Sequence, residues 1–366
     1  IFNAVLMVAG TSVGTGILGL PIATSKAGFV PSLLAFFVSW LFMTLAAYYI
    51  LEVKMQVRGN NNLSSMINLT LGKCAHVFSA AVVLGLLYAL LCTYMMAGSS
   101  WLSVLVSNYL QLSNVKVILG FTILFALILY CGERFIYNIN NFLAICLILA
   151  FFITIGLSLV PQNYAFLEHS DYSSLLPSLP MLLTTFGFSI IVPAVAEYLE
   201  YDKNSVATAI FWGGVMALAA YVLWEWVTLS NIPLSGIGGL RYLADAGDNG
   251  TGVILSFAKV TNNPIISIAG RIFAIFAAIT SFMGVSLALM HSLSDSLKLK
   301  ESGFDRVILL LLMYVPPVLI TFFVPNVFVE VLGFAGLFVA ILLGLFPVAM
   351  VYRTRNRGIK FSFWNH

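Results

Sequence analysis

A chain of 366 residues that is 61% hydrophobic and 8% charged has too little polar surface for a water-soluble globule, which ordinarily carries about 25% charged residues. Its four scattered cysteines (Cys74, Cys92, Cys131, Cys146) show no CxxC or ligand spacing, which excludes a disulfide or zinc scaffold. A net charge of +3, spread among short loops, points to no nucleic-acid surface, and a mean hydropathy of +1.02 is that of a polytopic membrane protein.

A helix needs about 20 apolar residues to cross a hydrocarbon core of about 30 Å. In chain order such runs fall at 2–24, 30–52, 76–108, 115–131, 139–161, 177–200, 205–230, 264–294, 307–324 and 327–352, the ten spans of an all-α polytopic membrane protein. The third and eighth exceed the minimum and are expected to tilt or to extend beyond the bilayer. Breakers and charges separate the runs, as in Arg58-Gly-Asn-Asn-Asn62 and Gly132-Glu-Arg134. The chain opens at Ile1 inside an apolar run and closes, at 361–366, on what reads as the start of another span. An N-terminal tail is expected to be missing, and an eleventh helix missing or only begun.

With a cytoplasmic N-terminus, the inner loops hold Lys54, Arg58, Lys73, Arg134, Lys203, Lys298, Lys300, Arg306, Arg353, Arg355, Arg357 and Lys360. The outer loops hold only Lys26, Lys116, Arg241 and Lys259, and Arg271 lies inside a span. Twelve against four obeys the positive-inside rule. The long outer loop 231–263 contains Pro233, Asp245-Ala-Gly-Asp-Asn-Gly250 and the short apolar segment 253–260. It reads either as a partly helical cap or as a solvent loop. The stretch 353–366 is a basic inner loop leading to the possible eleventh helix.

Irregular backbone at membrane depth is tolerated only where it is buried or lines a cavity. Two spans look irregular. The first carries Gly10-Thr-Ser-Val-Gly-Thr-Gly16, then Gly19 and Pro21; the sixth carries Thr184-Thr-Phe-Gly-Phe-Ser189, then Pro193. Proline is tolerated in a first turn, so Pro193 suits a second half-helix starting near Ile190. Small residues also serve tight helix packing, but these spans are the corresponding members of two five-span halves, 1–161 and 177–352. Interrupted segments at matching places in inverted repeats point to a transporter's binding site. Free amides near Thr15 and Gly16 would then face an anionic carboxylate, and free carbonyls near Ala9 and Gly10 a cation or ammonium group. A zwitterionic amino acid needs both.

At these residues the chain resembles the bacterial tyrosine/tryptophan permeases, the hydroxy and aromatic amino acid permease family. The first-span signature is VAGTSVGTGILGLP, Val8 to Pro21. The resemblance continues through Leu51-Glu-Val53, Leu87-Tyr-Ala-Leu90, Phe186-Gly-Phe188 with Val192-Pro193, and TSFMGVSLAL from Thr280 to Leu289 with Asp295. It returns at Pro316-Pro317, Val324-Pro-Asn326 and Gly333-Phe-Ala-Gly-Leu337, covering nearly the whole chain in order. It implies an eleven-helix member of the amino acid/polyamine/organocation superfamily with the five-plus-five inverted-repeat (LeuT-type) fold. It also implies proton-driven uptake of tyrosine or tryptophan at the inner membrane, with helices three, four, eight and nine as the scaffold. Three positions depart from the family: Ser189-Ile190 replaces the usual His-Gly, 142–147 lacks the helix-five lysine common in relatives, and Met290-His-Ser292 replaces Phe-Asp-Tyr. The coupling ion, proton or sodium, therefore stays open.

The candidate substrate-binding residues are Gly10, Thr11, Ser12, Gly14, Thr15, Gly16, Tyr88, Thr185, Phe186, Gly187, Phe188, Ser189 and Ser281, with Tyr94 a further wall candidate. Ion-coupling candidates are Ala9, Thr280 and Ser281, whose oxygens suit a sodium ion, and Glu197, an embedded carboxylate. Hydroxyls in membrane helices also bond back to the preceding turn, and Glu52, Glu197 and Glu200 equally suit pairing with Lys54 and Lys203. His291 reads as a possible titrating group or as structural. Arg271 lies about 13 Å of helical rise from Thr280; it either snorkels outward or pairs with Glu225 as an outer gate. No HExxH, paired intramembrane aspartates or Ser-His arrangement suggests an enzyme, and no cofactor or metal centre is indicated. A secondary transporter of an amino acid, aromatic by the resemblance and working by alternating access, is expected, with membrane lipid as its surroundings and no nucleic-acid partner; a channel or nutrient sensor is the alternative of a different class.

Overall fold

The computed structural model describes residues 1–57, 59, 62–107, 113–130, 132–159, 163–324 and 328–356, and all regular structure among them is helical. The helices of the first half are α1 (Phe2–Ser12), α2 (Gly16–Thr24), α3 (Phe29–Gln56), α4 (Leu63–Leu71), α5 (Lys73–Val106), α6 (Asn114–Tyr130) and α7 (Glu133–Leu157). Then come α8 (Leu179–Thr185), a 3-10 turn at Gly187–Ile191, α9 (Val192–Tyr198), α10 (Lys203–Asn231), α11 (Leu240–Asp245) and α12 (Thr251–Thr261). Finally there are α13 (Pro264–Leu297), α14 (Gly303–Phe323), α15 (Phe328–Val339), a π-turn at Ala340–Leu345 and α16 (Phe346–Asn356).

Eight segments are long and apolar enough to cross a membrane, and the bent pair α1–α2 makes up to nine. The 17-residue α6 rises about 25 Å, the low end of what a crossing requires. Helices thus occupy all ten apolar runs. Arg58, Pro325, Asn326, Arg357, Lys360 and the expected start of an eleventh helix at 361–366 lie outside the described residues.

Polar residues set the helix starts, as capping requires. Asn62 accepts from the Ser65 amide, Asp202 from Ser205, and Asn263 from Ile265 just ahead of Pro264. The hydrogen bonds from Ser205 hold the Asp202 carboxyl below the usual range. Two glycines are required by close approach. Gly28 opens α3 at φ +87°, and a Cβ there would land on the His169 carbonyl; one on Gly336 of α15 would land on the Pro180 carbonyl of α8.

The buried side chains form two clusters. The larger runs through both broken spans, α3, α10, α15 and α16. The smaller belongs mainly to α5, α6, α13 and α14. At its centre Phe121 lies 4.6 Å from Phe125 and 5.0 Å from Phe282, and Phe282 stacks on Tyr314 at 5.7 Å. The long loop 231–263 takes the partly helical form: α11 packs on α2, and α12 on α13 and α10. Asp248 holds the start of α12 by accepting the Gly250 and Gly252 amides, each at 2.9 Å. Burial lifts its carboxyl above the usual range, against the lowering effect of those amides.

Candidate functional site

The first span loses its helix after Ser12, where Val13 turns extended (φ −76°, ψ 96°), and resumes at Gly16 after a 54° bend. The glycines serve contact between spans. A Cβ on Gly14 would sit 2.7 Å from Ser281 Oγ, and one on Gly16 would sit 3.0 Å from Thr185 Oγ1. Gly10 and Thr11 instead face open space, with the Thr11 hydroxyl donating back to the Met7 carbonyl at 2.7 Å. The amide expected to be free at Thr15 is engaged: it donates to Ser281 Oγ at 3.0 Å, and the Thr15 hydroxyl donates to the Ala277 carbonyl at 3.0 Å. The Ala9 carbonyl is likewise engaged, accepting the Val13 amide at 3.2 Å. A broken helix must find partners for its loose peptide groups, and the eighth span supplies one of them.

The sixth span breaks at Phe186 (φ −85°, ψ 18°), passes through the Gly187–Ile191 3-10 turn, and restarts at Val192 with Pro193 in its first turn. The two breaks are joined by Tyr221 of α10, which is fully buried. Its hydroxyl lies 2.6 Å from the Ser12 carbonyl and 2.8 Å from the Thr185 carbonyl. Neither carbonyl has a backbone partner among the described residues. A phenol has one proton to donate, so two acceptors share a single donor, and Ser12 Oγ beside them is buried without a partner. Phe186 packs edge-on to the Tyr221 ring at 4.7 Å. Tyr221 is absent from the expected site. Its signal is a phenol midway along the apolar run Ala219-Ala-Tyr-Val222, since a buried tyrosine hydroxyl needs a partner.

Several expected members lie elsewhere. Tyr88 donates its hydroxyl to the Leu312 carbonyl of α14 at 2.9 Å. Phe188 packs on Gly214 of α10, and the nearest atom to a Cβ on Gly187 is Leu343 Cδ1, 4.0 Å away. Ser189 Oγ reaches Met43 Sδ of α3 at 3.7 Å. The 3-10 turn advances about 120° per residue, so successive side chains of 186–189 point to different neighbours. Ser12, Gly14, Thr15, Gly16, Thr185, Phe186 and Ser281 are the expected residues that come together.

A profile of the tryptophan/tyrosine permease family matches residues 1–364. The chain belongs to that family. This permease is 29% identical to the tryptophan-specific transport protein of Pseudomonas aeruginosa, over 96% of this chain and 86% of the relative. It is 28% identical to the tryptophan-specific transport protein of Shigella flexneri, over 100% and 89%. With tyrosine-specific transport system 1 of Haemophilus influenzae the identity is 27%, over 99% and 90%. It is a transport protein and not an enzyme.

The permease's embedded charges keep one expected pairing, that of Glu197 with Lys54, and change the others. Glu197 bonds to the fully buried Lys54 at 2.6 Å, next to Tyr201, whose hydroxyl donates to the Gly59 carbonyl at 3.0 Å. Glu52 takes a two-pronged bond from Arg355 at 2.7 Å on each prong. His291 lies 2.8 Å from Glu301. Arg271 and Glu225 do not form the expected gate pair. Arg271 is exposed, and Glu225 is buried against the Thr24 hydroxyl. A guanidinium on an outward-turned helix face reaches solvent more cheaply than it enters the interior. Thr280 donates back to the Phe276 carbonyl at 2.8 Å.

Proposed function

We propose that this permease imports an aromatic amino acid, tyrosine or tryptophan, across a bacterial inner membrane by alternating access, with the N-terminus cytoplasmic and proton symport as the driving reaction. The observation that carries this reading is the meeting of two span breaks on one phenol. The Ser12 and Thr185 carbonyls share one donor, and an amino acid's ammonium group brings three donors and a positive charge. The start of α2, with its dipole and its Gly14 and Gly16 backbone, suits the carboxylate. Phe186 lies beside these carbonyls as a surface for the substrate ring. The relatives named for tryptophan and tyrosine supply the substrate class.

The breaks fall in the first span of each five-span half, 1–161 and 177–352, which supports a five-plus-five inverted repeat of the LeuT type. The separate cluster of α5, α6, α13 and α14 suits a scaffold against which the broken spans rock. For sodium, the alternative driving ion, the oxygens are Ala9 O, Thr280 Oγ1 and Ser281 Oγ. Each makes an internal hydrogen bond and keeps a lone pair, so the imposed gradients below discriminate the two ions.

The test is uptake of labelled tryptophan and tyrosine into proteoliposomes under an imposed pH gradient or an imposed sodium gradient. Accumulation driven by external acid is expected. Accumulation driven by sodium alone overturns the coupling, and flux that only dissipates the substrate gradient indicates a channel.

A further inference from the structure

Glu225, in the outer half of α10, is fully buried. Among the described residues it has no cationic partner, and only one carboxyl oxygen is engaged. Its Oε1 lies 2.5 Å from the hydroxyl of Thr24, the last residue of α2, while Oε2 has no hydrogen-bond partner. The Thr24 hydroxyl also lies 2.7 Å from the Leu20 carbonyl. A hydroxyl has one proton. Spent on Leu20, in the usual back-bond of a helical threonine, it leaves a lone pair facing Glu225, and that short contact then needs an O–H on the carboxyl. The neutral acid gives every contact a donor: Glu225 O–H to Thr24 Oγ1, and Thr24 O–H to the Leu20 carbonyl. The ionised form would be a buried charge with no counter-ion, the costliest state of such a group.

The charged groups on the elements packed around α10 turn elsewhere. Lys26, just beyond α2, pairs with Asp245 at the surface, 3.3 Å away. Beyond the 3-10 turn at Tyr164–Leu167, Glu168 is exposed, as are Lys259 of α12 and Arg271 of α13. Glu52 and Lys54 of α3 and Glu197 of α9 are paired at the opposite end. The remaining neighbours are neutral: Ser32 of α3, whose hydroxyl donates to the Gly28 carbonyl, and Tyr221, one turn away on the same face of α10. Glu225 and the bridge between the breaks therefore ride on one helix.

We propose that Glu225 is the proton-carrying site of the transport cycle and that its O–H joins the outer half-helix α2 to α10 in the loaded carrier. A proton from the outer solution adds to a carboxylate oxygen, forming the O–H that Thr24 accepts. When the site opens inward, that O–H ionises and the proton leaves to the inner solution. The carboxylate then no longer donates to Thr24, and the empty carrier returns outward without that bond, whereas the loaded carrier keeps it in both directions. This inference rests on the proton-symport reading above.

The experiment compares the full-length permease with Glu225→Gln in proteoliposomes, using labelled tryptophan and tyrosine. Glutamine keeps the shape of the neutral acid and an N–H for Thr24 but cannot exchange a proton. The variant is expected to unfold in detergent at no lower temperature than wild type and to exchange internal for external substrate, but to lose accumulation driven by external acid. Acid-driven accumulation at the wild-type level overturns the proposal. So does a marked loss of thermal stability, because it means that the charge, not the neutral form, was being held. A variant that neither exchanges nor accumulates also overturns it, since carrying a proton is not needed for exchange. If wild type is driven only by sodium, or accumulates neither amino acid, the transport reading itself has failed and this inference falls with it.

Discussion

Two parts of this permease fill their interiors in opposite ways. Around Phe282, the helices α5, α6, α13 and α14 run unbroken, and rings, methionines and leucines fill the space between them. Around Tyr221, the helices are broken, and the interior holds Ser12, Thr15, Thr185, Thr24 and Glu225. An unbroken helix satisfies its own backbone, so its packing needs only shape. A broken one must borrow partners from side chains, here Tyr221 and Ser281. Borrowed bonds can be exchanged for others at little cost, whereas interlocked rings cannot. Under the alternating access proposed above, the first region would hold its shape and the second would change it.

The contrast is sharpest in Phe282→Ala. Removing a ring that touches Phe121, Phe125 and Tyr314 is expected to cost about 3–5 kcal/mol. Thermal unfolding in detergent reads this directly, and transport per folded molecule should survive. Tyr221→Phe reverses the pattern. It leaves two buried carbonyls without a donor, an effect of about 1–3 kcal/mol, yet transport per folded molecule should fall further than in Phe282→Ala. Equal transport loss in the two variants would erase the distinction between the regions.

The smallest effect belongs to the cap formed by α11 and α12. The Asp248 carboxyl is raised above 3.8 by burial, so the folded cap holds a proton more tightly than the unfolded chain does. Stability contributed at this residue is therefore greatest at low pH and declines as pH rises from 3.8 through the raised value. Asp248→Asn should remove that decline, but an amide offers one acceptor oxygen where the carboxylate uses two, so exchange in α12 should quicken slightly at every pH. A pH profile of exchange identical to wild type would show that the cap does not feel this charge.

Much of the fold was legible because lipid imposes strong rules. Apolar length marked the ten runs, and the glycines and hydroxyls of 10–16 and 184–189 marked both breaks. Individual partners were less legible. Tyr88 and Ser189 had the right chemistry on the wrong faces, because a helix or 3-10 turn assigns direction by rotation and neighbours decide what each direction meets. Glu225 and Arg271 looked like partners because depth along a span can be counted from sequence, while the face each presents depends on how the helices pack. Lys54 and Glu52 lie two residues apart, yet they pair with α9 and α16 respectively.

Sequence alone determined that this chain is a multi-pass membrane protein, where its spans lie, and which two of them cannot stay helical throughout. These are one-dimensional properties, set by apolar length and by the backbone preferences of glycine and proline. Tertiary structure alone decided that one phenol closes both breaks, that the Thr15 amide belongs to Ser281, and that Glu225 meets a hydroxyl instead of a cation. Hydrogen bonds depend on ångström separations between residues hundreds of positions apart, and only the packed helices set those separations.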